Sequence, residues 1–281
     1  MKLVRWGQRG AERPGMVDGA GRVRDLSGVV ADIAGPALSD EALARIAALD
    51  PAGLPQVPDG ARLGPCVGAV GKVVCIGLNY RDHAREANLP EPKEPIIFLK
   101  ATSAIVGPDD PVEIPAGAEK VDWEVELGVV IGRTARGVSQ ADALSHVAGY
   151  CIVNDVSERA WQMERGGQWD KGKAADTFAP VGPWLVTRDE VPDPQGLALW
   201  LEVDGVRRQD GTTADMIFGV AELVAYASQF MSLQPGDIIA TGTPAGVGMG
   251  FKPPVYLRPG QAMRLGVQGL GEQRSAVRAA A

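Results

Sequence analysis

KVVCIGLNYRDHAREANLPEPKEPIIFLK, residues 72–100, is the stretch on which the reading of the fold turns. Lys72 to Gly77 is a nearly continuous β-branched run, the composition of a strand buried on both faces. It empties into a polar helical turn and a proline-rich loop, and Ile96 to Lys100 begins a second strand. Side chains that do chemistry often sit at such strand exits. Toward the C-terminus, strands are expected at Trp123–Gly132, Gly149–Asp155, Trp184–Thr187, Leu197–Arg208 (turning at Asp204-Gly205), Asp237–Gly242 and Ala262–Val267. Two helices stand out, at about Ser139–His146 with a capping box, and at Gly219–Phe230 with Val220, Leu223, Val224 and Ala227 on one stripe. The absence of regular βαβ alternation argues against a Rossmann sheet or a TIM barrel. A β-rich α+β fold is expected.

Toward the N-terminus the pattern differs. Leu3–Trp6 and Arg22–Leu26 read as strands flanking a loop that holds Gly15 and Asp18-Gly19. Ser39 caps a helix to about Asp50, and Gly53–Pro65 reads as a linker. We therefore expect a small α+β domain over residues 1–68 and a second, larger domain over 69–281. The 281 residues include 36 glycines and 21 prolines, so long helices are not expected. A net charge of −7 without any basic run argues against nucleic acid or an anionic membrane as partner. No apolar stretch approaches the ~18–20 residues of a membrane helix, and the opening residues lack a signal-peptide core. A cytoplasmic protein is expected, with small molecules or proteins left as partners and Cys66, Cys75 and Cys151 as reduced core residues.

Several residues could carry chemistry. Glu124 and Glu126, two apart in a strand-like segment, leave the same face about 6–7 Å apart. Asp155, ending an apolar run, adds a third acid, and three carboxylates suit Mg²⁺ or Mn²⁺ better than Zn²⁺. An edge strand with alternating solvent-facing acids would look the same. His83 precedes Glu86 by three residues, so in a helical turn the carboxylate could orient the imidazole as a base toward water; a solvated helical turn is the plainer alternative. His146 reads as structural. Gly167–Lys173 matches a phosphate-loop pattern but has Ala174 where a hydroxyl is needed. Lys173 remains either a site cation or a surface lysine. TGTPAGVG, Thr241 to Gly248, could hold an anionic oxygen on its amides or be an ordinary turn.

Together IGLNYRDHAREA, IIFLK, DWEVELGVVIG, VNDVSERAWQ, GKAADTFAPVGPW and GDIIATGTPAGVG closely resemble the fumarylacetoacetate hydrolase family across about residues 70–270. The resemblance implies a mixed β-roll core, a homodimer, and a mobile lid carrying His83. It implies Glu124, Glu126 and Asp155 as ligands of Mg²⁺ or Mn²⁺, His83 and Glu86 as a water-activating dyad, and Lys173 and Thr243 at the substrate or its enolate. Arg159, Gln162, Tyr80 and Lys100 would complete the substrate contacts; Ala160 stands where many members carry an acid. Members of the family cleave acylpyruvates, decarboxylate oxaloacetate or isomerise unsaturated keto acids. Trp161–Thr187 looks most like the branch acting on 2,4-diketo-3-deoxy sugar acids, to give pyruvate and a lactate-like acid. Ureidoglycolate lyase, or a noncatalytic ligand-binding protein of the same fold, are the other readings.

Overall fold

The β-branched run forms the strand Val73–Gly77, antiparallel to Ile96–Lys100 and parallel to Ile238–Ala240. These coordinates are a computed structural model that describes residues 1–280. Beyond Ile238–Ala240 the sheet continues through Val125–Ile131, Val147–Asn154 and Ala179–Thr187, all joined antiparallel. Every residue of Val73–Gly77, Val125–Ile131 and Val147–Asn154 is buried. Continuous apolar composition works here because both faces of the sheet are covered.

Strand alternation sorts the side chains into two cores. Val74, Ile76, Val125, Leu127, Val129 and Ile152 face a core closed by Leu199, Leu201, Leu265 and Val267 and by the helix Val220–Phe230. The first four of those closing residues belong to a five-stranded sheet containing Ala198–Val203 and Ala262–Val267. Val73, Cys75, Phe98, Val130, Cys151 and Val153 face the opposite core, filled by Leu3, Met16, Leu26, Ile33, Leu38 and Ile46. The fold is mixed α+β and strand-rich, as expected.

The N-terminal residues extend the main sheet. Lys2–Trp6 pairs antiparallel with Ala179–Thr187, placing Lys2 opposite Val186, so no break in the hydrogen-bonded sheet falls at residue 68. The expected loop around Gly15 is corrected: Arg13–Val17 is a strand paired on both sides. A Cβ on Gly15 would lie 3.0 Å from Trp6 Cδ1 and 3.1 Å from Val23 Cγ1. This glycine serves close packing between strands and makes no turn. Ser39 caps the helix Asp40–Ala47 by accepting from the Ala42 amide, and Leu43 and Ile46 enter the core. No helix among the described residues is long and apolar enough to cross a membrane.

Candidate active site

Strand parity also builds the site. Glu124 and Glu126 share the face of Val130, Asp155 that of Cys151 and Val153, and Lys100 that of Phe98. All four acidic or basic groups therefore emerge on one face of the sheet.

One oxygen from each of Glu124, Glu126 and Asp155 lies within 4.8 Å of the others, and all three residues are buried. Lys173 Nζ donates to Glu124 Oε2 at 2.6 Å and to Asp155 Oδ2 at 2.8 Å. Lys100 Nζ donates to Asp155 Oδ1 at 2.6 Å. Arg159 Nη2 lies 2.7 Å from Glu124 Oε1, while its Nε donates to Asp122 Oδ2 at 2.8 Å and its Nη1 to Gln162 Oε1 at 3.1 Å. Glu126 differs: among the described residues it receives one hydrogen bond, from the Gly242 amide at 2.8 Å.

These contacts divide the electrostatics. Burial pushes the Glu126 carboxyl well above the usual range, and Asp155 and Glu124 add to the push. Burial acts on Glu124 in the same direction, but Lys173 and Arg159 outweigh it and hold that carboxyl well below the usual range. For Lys173, burial disfavours the ammonium, yet Asp155 and Glu124 overcome this and keep it charged. A buried carboxylate with one hydrogen bond and two further acids beside it, a set of carboxylate oxygens, fits a hard divalent cation such as Mg²⁺ or Mn²⁺. The three acids are the residues that would hold it.

His83 comes from the helix Arg81–Glu86, and its Nδ1 lies 3.1 Å from Glu86 Oε2. The root of this helix is held by Asn79, which donates to the Phe218 and Thr241 carbonyls and accepts from the Phe218 amide. The helix lies docked on the loop after Ile238–Ala240. Asp82 accepts from the Ala245 amide at 3.2 Å and Glu86 Oε1 from Gly246 at 2.9 Å. In the same loop Gly242 donates to Glu126, and Gly248 and Met249 donate to Asp122. Four amides of the loop expected to receive a foreign anion, those of Gly242, Ala245, Gly246 and Gly248, are thus occupied by the chain's own carboxylates. Gly242 can turn its N–H to Glu126 because it adopts a φ of 93°, which a side chain would strain.

A cavity of about 490 Å³ joins these groups; His83, Glu86, Glu124, Glu126, Arg159, Gln162, Lys173 and Thr243 line it. Asp155 lies behind Lys173. Two expected substrate contacts are not in the cavity wall: Lys100 is buried under Asp155, and Tyr80 is fully buried with an unpartnered hydroxyl. Lys100 is held by its strand, Ile96–Lys100, and Tyr80, at the start of the helix Arg81–Glu86, packs into the core beside Met216. Thr243 lines the cavity, but its hydroxyl donates to the Val125 carbonyl and accepts from Gln209. Lys173 ends a short helix, Asp170–Lys173, and is buried, which excludes the surface-lysine alternative. Sequence reasoning missed Asp122, which ties Arg159 to the Gly248 loop; an acid beside Trp123 in a buried run was the available signal. It also missed the apolar wall of Leu89, Ile96, Phe98, Met163, Trp169 and Met249.

Fold and cavity together define a β-roll enzyme built around a buried carboxylate cluster. Residues 72–278 match the model of the fumarylacetoacetate (FAA) hydrolase C-terminal domain, and the chain belongs to the fumarylacetoacetate hydrolase family. It is 64% identical over 281 residues, covering all of both chains, to a Burkholderia multivorans protein named only provisionally, as a hydrolase. A fumarylacetoacetate hydrolase from Exiguobacterium antarcticum is 37% identical with a TM-score of 0.88, covering all of both chains. Maleylpyruvate hydrolase from Sphingobium sp. SYK-6, solved with manganese(II) and pyruvate, is 33% identical over the full length of both chains with a TM-score of 0.84.

Proposed function

We propose that the protein is a hydrolase dependent on Mg²⁺ or Mn²⁺ that cleaves the C3–C4 bond of a 2,4-diketo acid, releasing pyruvate and a second carboxylic acid. The observation that carries this reading is the His83–Glu86 pair in the same cavity as Glu124 and Glu126, with no serine or cysteine lining it. Water is then the nucleophile. Glu124, Glu126 and Asp155 would hold the divalent ion, which would supply the positive charge that favours enolate formation at the keto-acid end of the substrate.

The remaining work falls to side chains. With Nδ1–H directed to Glu86, His83 keeps Nε2 free to take a proton from water as the water oxygen bonds to C4. Collapse of that adduct breaks C3–C4 and leaves the electron pair on C3. The product side becomes a carboxylic acid at C4 and the enolate of pyruvate, which takes up a proton at C3. Lys173 steadies the developing negative charge, and Arg159 holds the Glu124 carboxylate in place. The pyruvate and manganese named with the Sphingobium maleylpyruvate hydrolase support the product and the ion.

A 2,4-diketo-3-deoxy sugar acid of the fuconate or rhamnonate type is the substrate to which Trp161–Thr187 points. The apolar wall offers few partners to its hydroxyl groups, so the conclusion rests at the 2,4-diketo acid class. The similarity to a Mycobacterium marinum 2-hydroxyhepta-2,4-diene-1,7-dioate isomerase, 35% identical, keeps an isomerase reading in play, since a histidine base also moves protons on carbon. The purified protein with Mg²⁺ should be incubated in H₂¹⁸O with 2,4-diketo acids, the hydroxy-dienedioate, oxaloacetate and ureidoglycolate, following products by NMR and mass spectrometry. Label in the second acid and none gained by pyruvate beyond solvent exchange supports the reading. Isomerisation, lyase cleavage or decarboxylation without any hydrolysis overturns it.

A further inference from the structure

Lys173 and Arg159 line the cavity, where their contacts with carboxylates can rearrange around a bound molecule. Lys100 has no such freedom. Its side chain is fully excluded from solvent and lies outside the cavity wall, at the end of the strand Ile96–Lys100. Two of its three N–H bonds go to fixed acceptors, Asp155 Oδ1 at 2.6 Å and the Val156 carbonyl at 3.0 Å. Pairing Asp155 does not require this ammonium, because Lys173 already donates to the other oxygen, Oδ2, at 2.8 Å. A second cation on a carboxylate that is to hold a divalent ion repels that ion, and burying it is costly as well. Its retention therefore calls for a role other than charge balance.

We propose that Lys100 is a positioning residue that keeps Asp155 from clasping the ion with both oxygens, so that the site takes a small octahedral ion, Mg²⁺ or Mn²⁺, and discriminates against Ca²⁺. This rests on the reading of Glu124, Glu126 and Asp155 as the ligands and adds what sets the choice of ion. Each of the three acids offers one oxygen within 4.8 Å of the others. Mg²⁺ accepts a few protein oxygens and fills its octahedron with water and substrate, whereas Ca²⁺ takes about six to eight oxygens and draws on bidentate carboxylates. With Oδ1 held by Lys100, Asp155 has a single oxygen to give, and an ion reaching for both would be brought against the ammonium.

The test titrates Mn²⁺ and Ca²⁺ by calorimetry into the unaltered full chain and into Lys100→Met, which keeps an unbranched stem without the charge. The unaltered protein should bind Mn²⁺ the more tightly, and the ratio of Mn²⁺ to Ca²⁺ affinity should fall by ~10–100-fold in the variant, the range for losing a partner of a metal ligand. A lysine that only balanced charge would, on removal, raise both affinities together; an unmoved ratio, or tighter binding of Ca²⁺ by the unaltered protein, overturns the proposal. A second measurement needs no variant. Infrared difference spectra of the unaltered protein carrying ¹³C-carboxyl aspartate, Mn²⁺-loaded minus metal-free, should show the wide separation of carboxylate stretches that marks ligation through one oxygen. The narrow separation of a bidentate clasp overturns the proposal even where Lys100→Met fails to fold. Binding of neither ion by the unaltered protein overturns it together with the ligand assignment, whereas a missing hydrolysis with the ratio shifted as expected sinks the hydrolase reading alone.

Discussion

Glu86 places one carboxylate oxygen 3.1 Å from His83 Nδ1 and the other 2.9 Å from the Gly246 amide nitrogen, so the group that orients the imidazole also fastens its helix to the cavity. A carboxylate can only accept, which fixes the proton on Nδ1 and leaves Nε2 basic. Glu86→Gln offers His83 an amide donor that favours the opposite tautomer. Its kcat for diketo-acid hydrolysis should fall by ~10²–10⁴-fold, the range for losing a general base, with metal binding retained. Steady-state kinetics with calorimetric metal titration checks this; an undiminished kcat would remove the dyad from the mechanism.

His83→Ala should separate two activities in one cavity. Hydrolysis needs the base and should drop by ~10²–10⁴-fold. Any oxaloacetate decarboxylation needs no attacking water and should fall much less. Parallel assays on one protein preparation give the comparison, and an equal loss of both contradicts the assigned role.

Glu126→Gln tests the carboxylate cluster. Because burial raises the Glu126 carboxyl above its unfolded value, its contribution to metal-free stability is fully present below the ordinary carboxylate range and is lost as pH rises through the raised value. The glutamine variant should therefore equal or exceed the unaltered protein in metal-free stability at pH 8. The unaltered protein should gain ~2.7 kcal/mol from Mg²⁺ or Mn²⁺ at 100 times Kd. At ~2–4 °C per kcal/mol this is a Tm rise of about 5–10 °C, absent in Glu126→Gln. A full metal-induced shift in the variant would argue against Glu126 as a ligand.

Lys173→Met removes the cation between Glu124 and Asp155. Breaking a buried ion pair from one side costs about 3–5 kcal/mol, so the metal-free variant should unfold at markedly lower denaturant concentration. Hydrolysis and decarboxylation should decline together, since both develop negative charge beside this ammonium. Unchanged stability would mean that the acids take up protons at little cost.

Gly250→Ala probes docking of the His83 helix. A Cβ at residue 250 would lie 2.4 Å from Glu86 Cδ, too close for both to stay in place. The variant should lower kcat by displacing Glu86 while leaving metal-induced stabilisation intact. Thermal shift with and without Mn²⁺, alongside kcat, separates this local effect from misfolding.

What the sequence determined by itself was local and periodic. Glu124 and Glu126 share a face because strand side chains alternate, and His83 reaches Glu86 because residues three apart meet on a helical turn. Both relationships follow from backbone geometry over a few residues, and so did the Ser39 cap and the Asp204-Gly205 hairpin. What only the tertiary structure decided depends on chain segments brought together from far apart. Lys173 bridges Glu124, 49 residues away, and Asp155, 18 residues away, and nothing in GQWDKGK announces that. Asp122 joins Arg159 across 37 residues, and Gly15 became a strand residue because Trp6 and Val23 close on it. The family resemblance implied Lys100 as a substrate contact, but the sheet sets it beneath Asp155, since the strand order decides which neighbour a buried charge must satisfy.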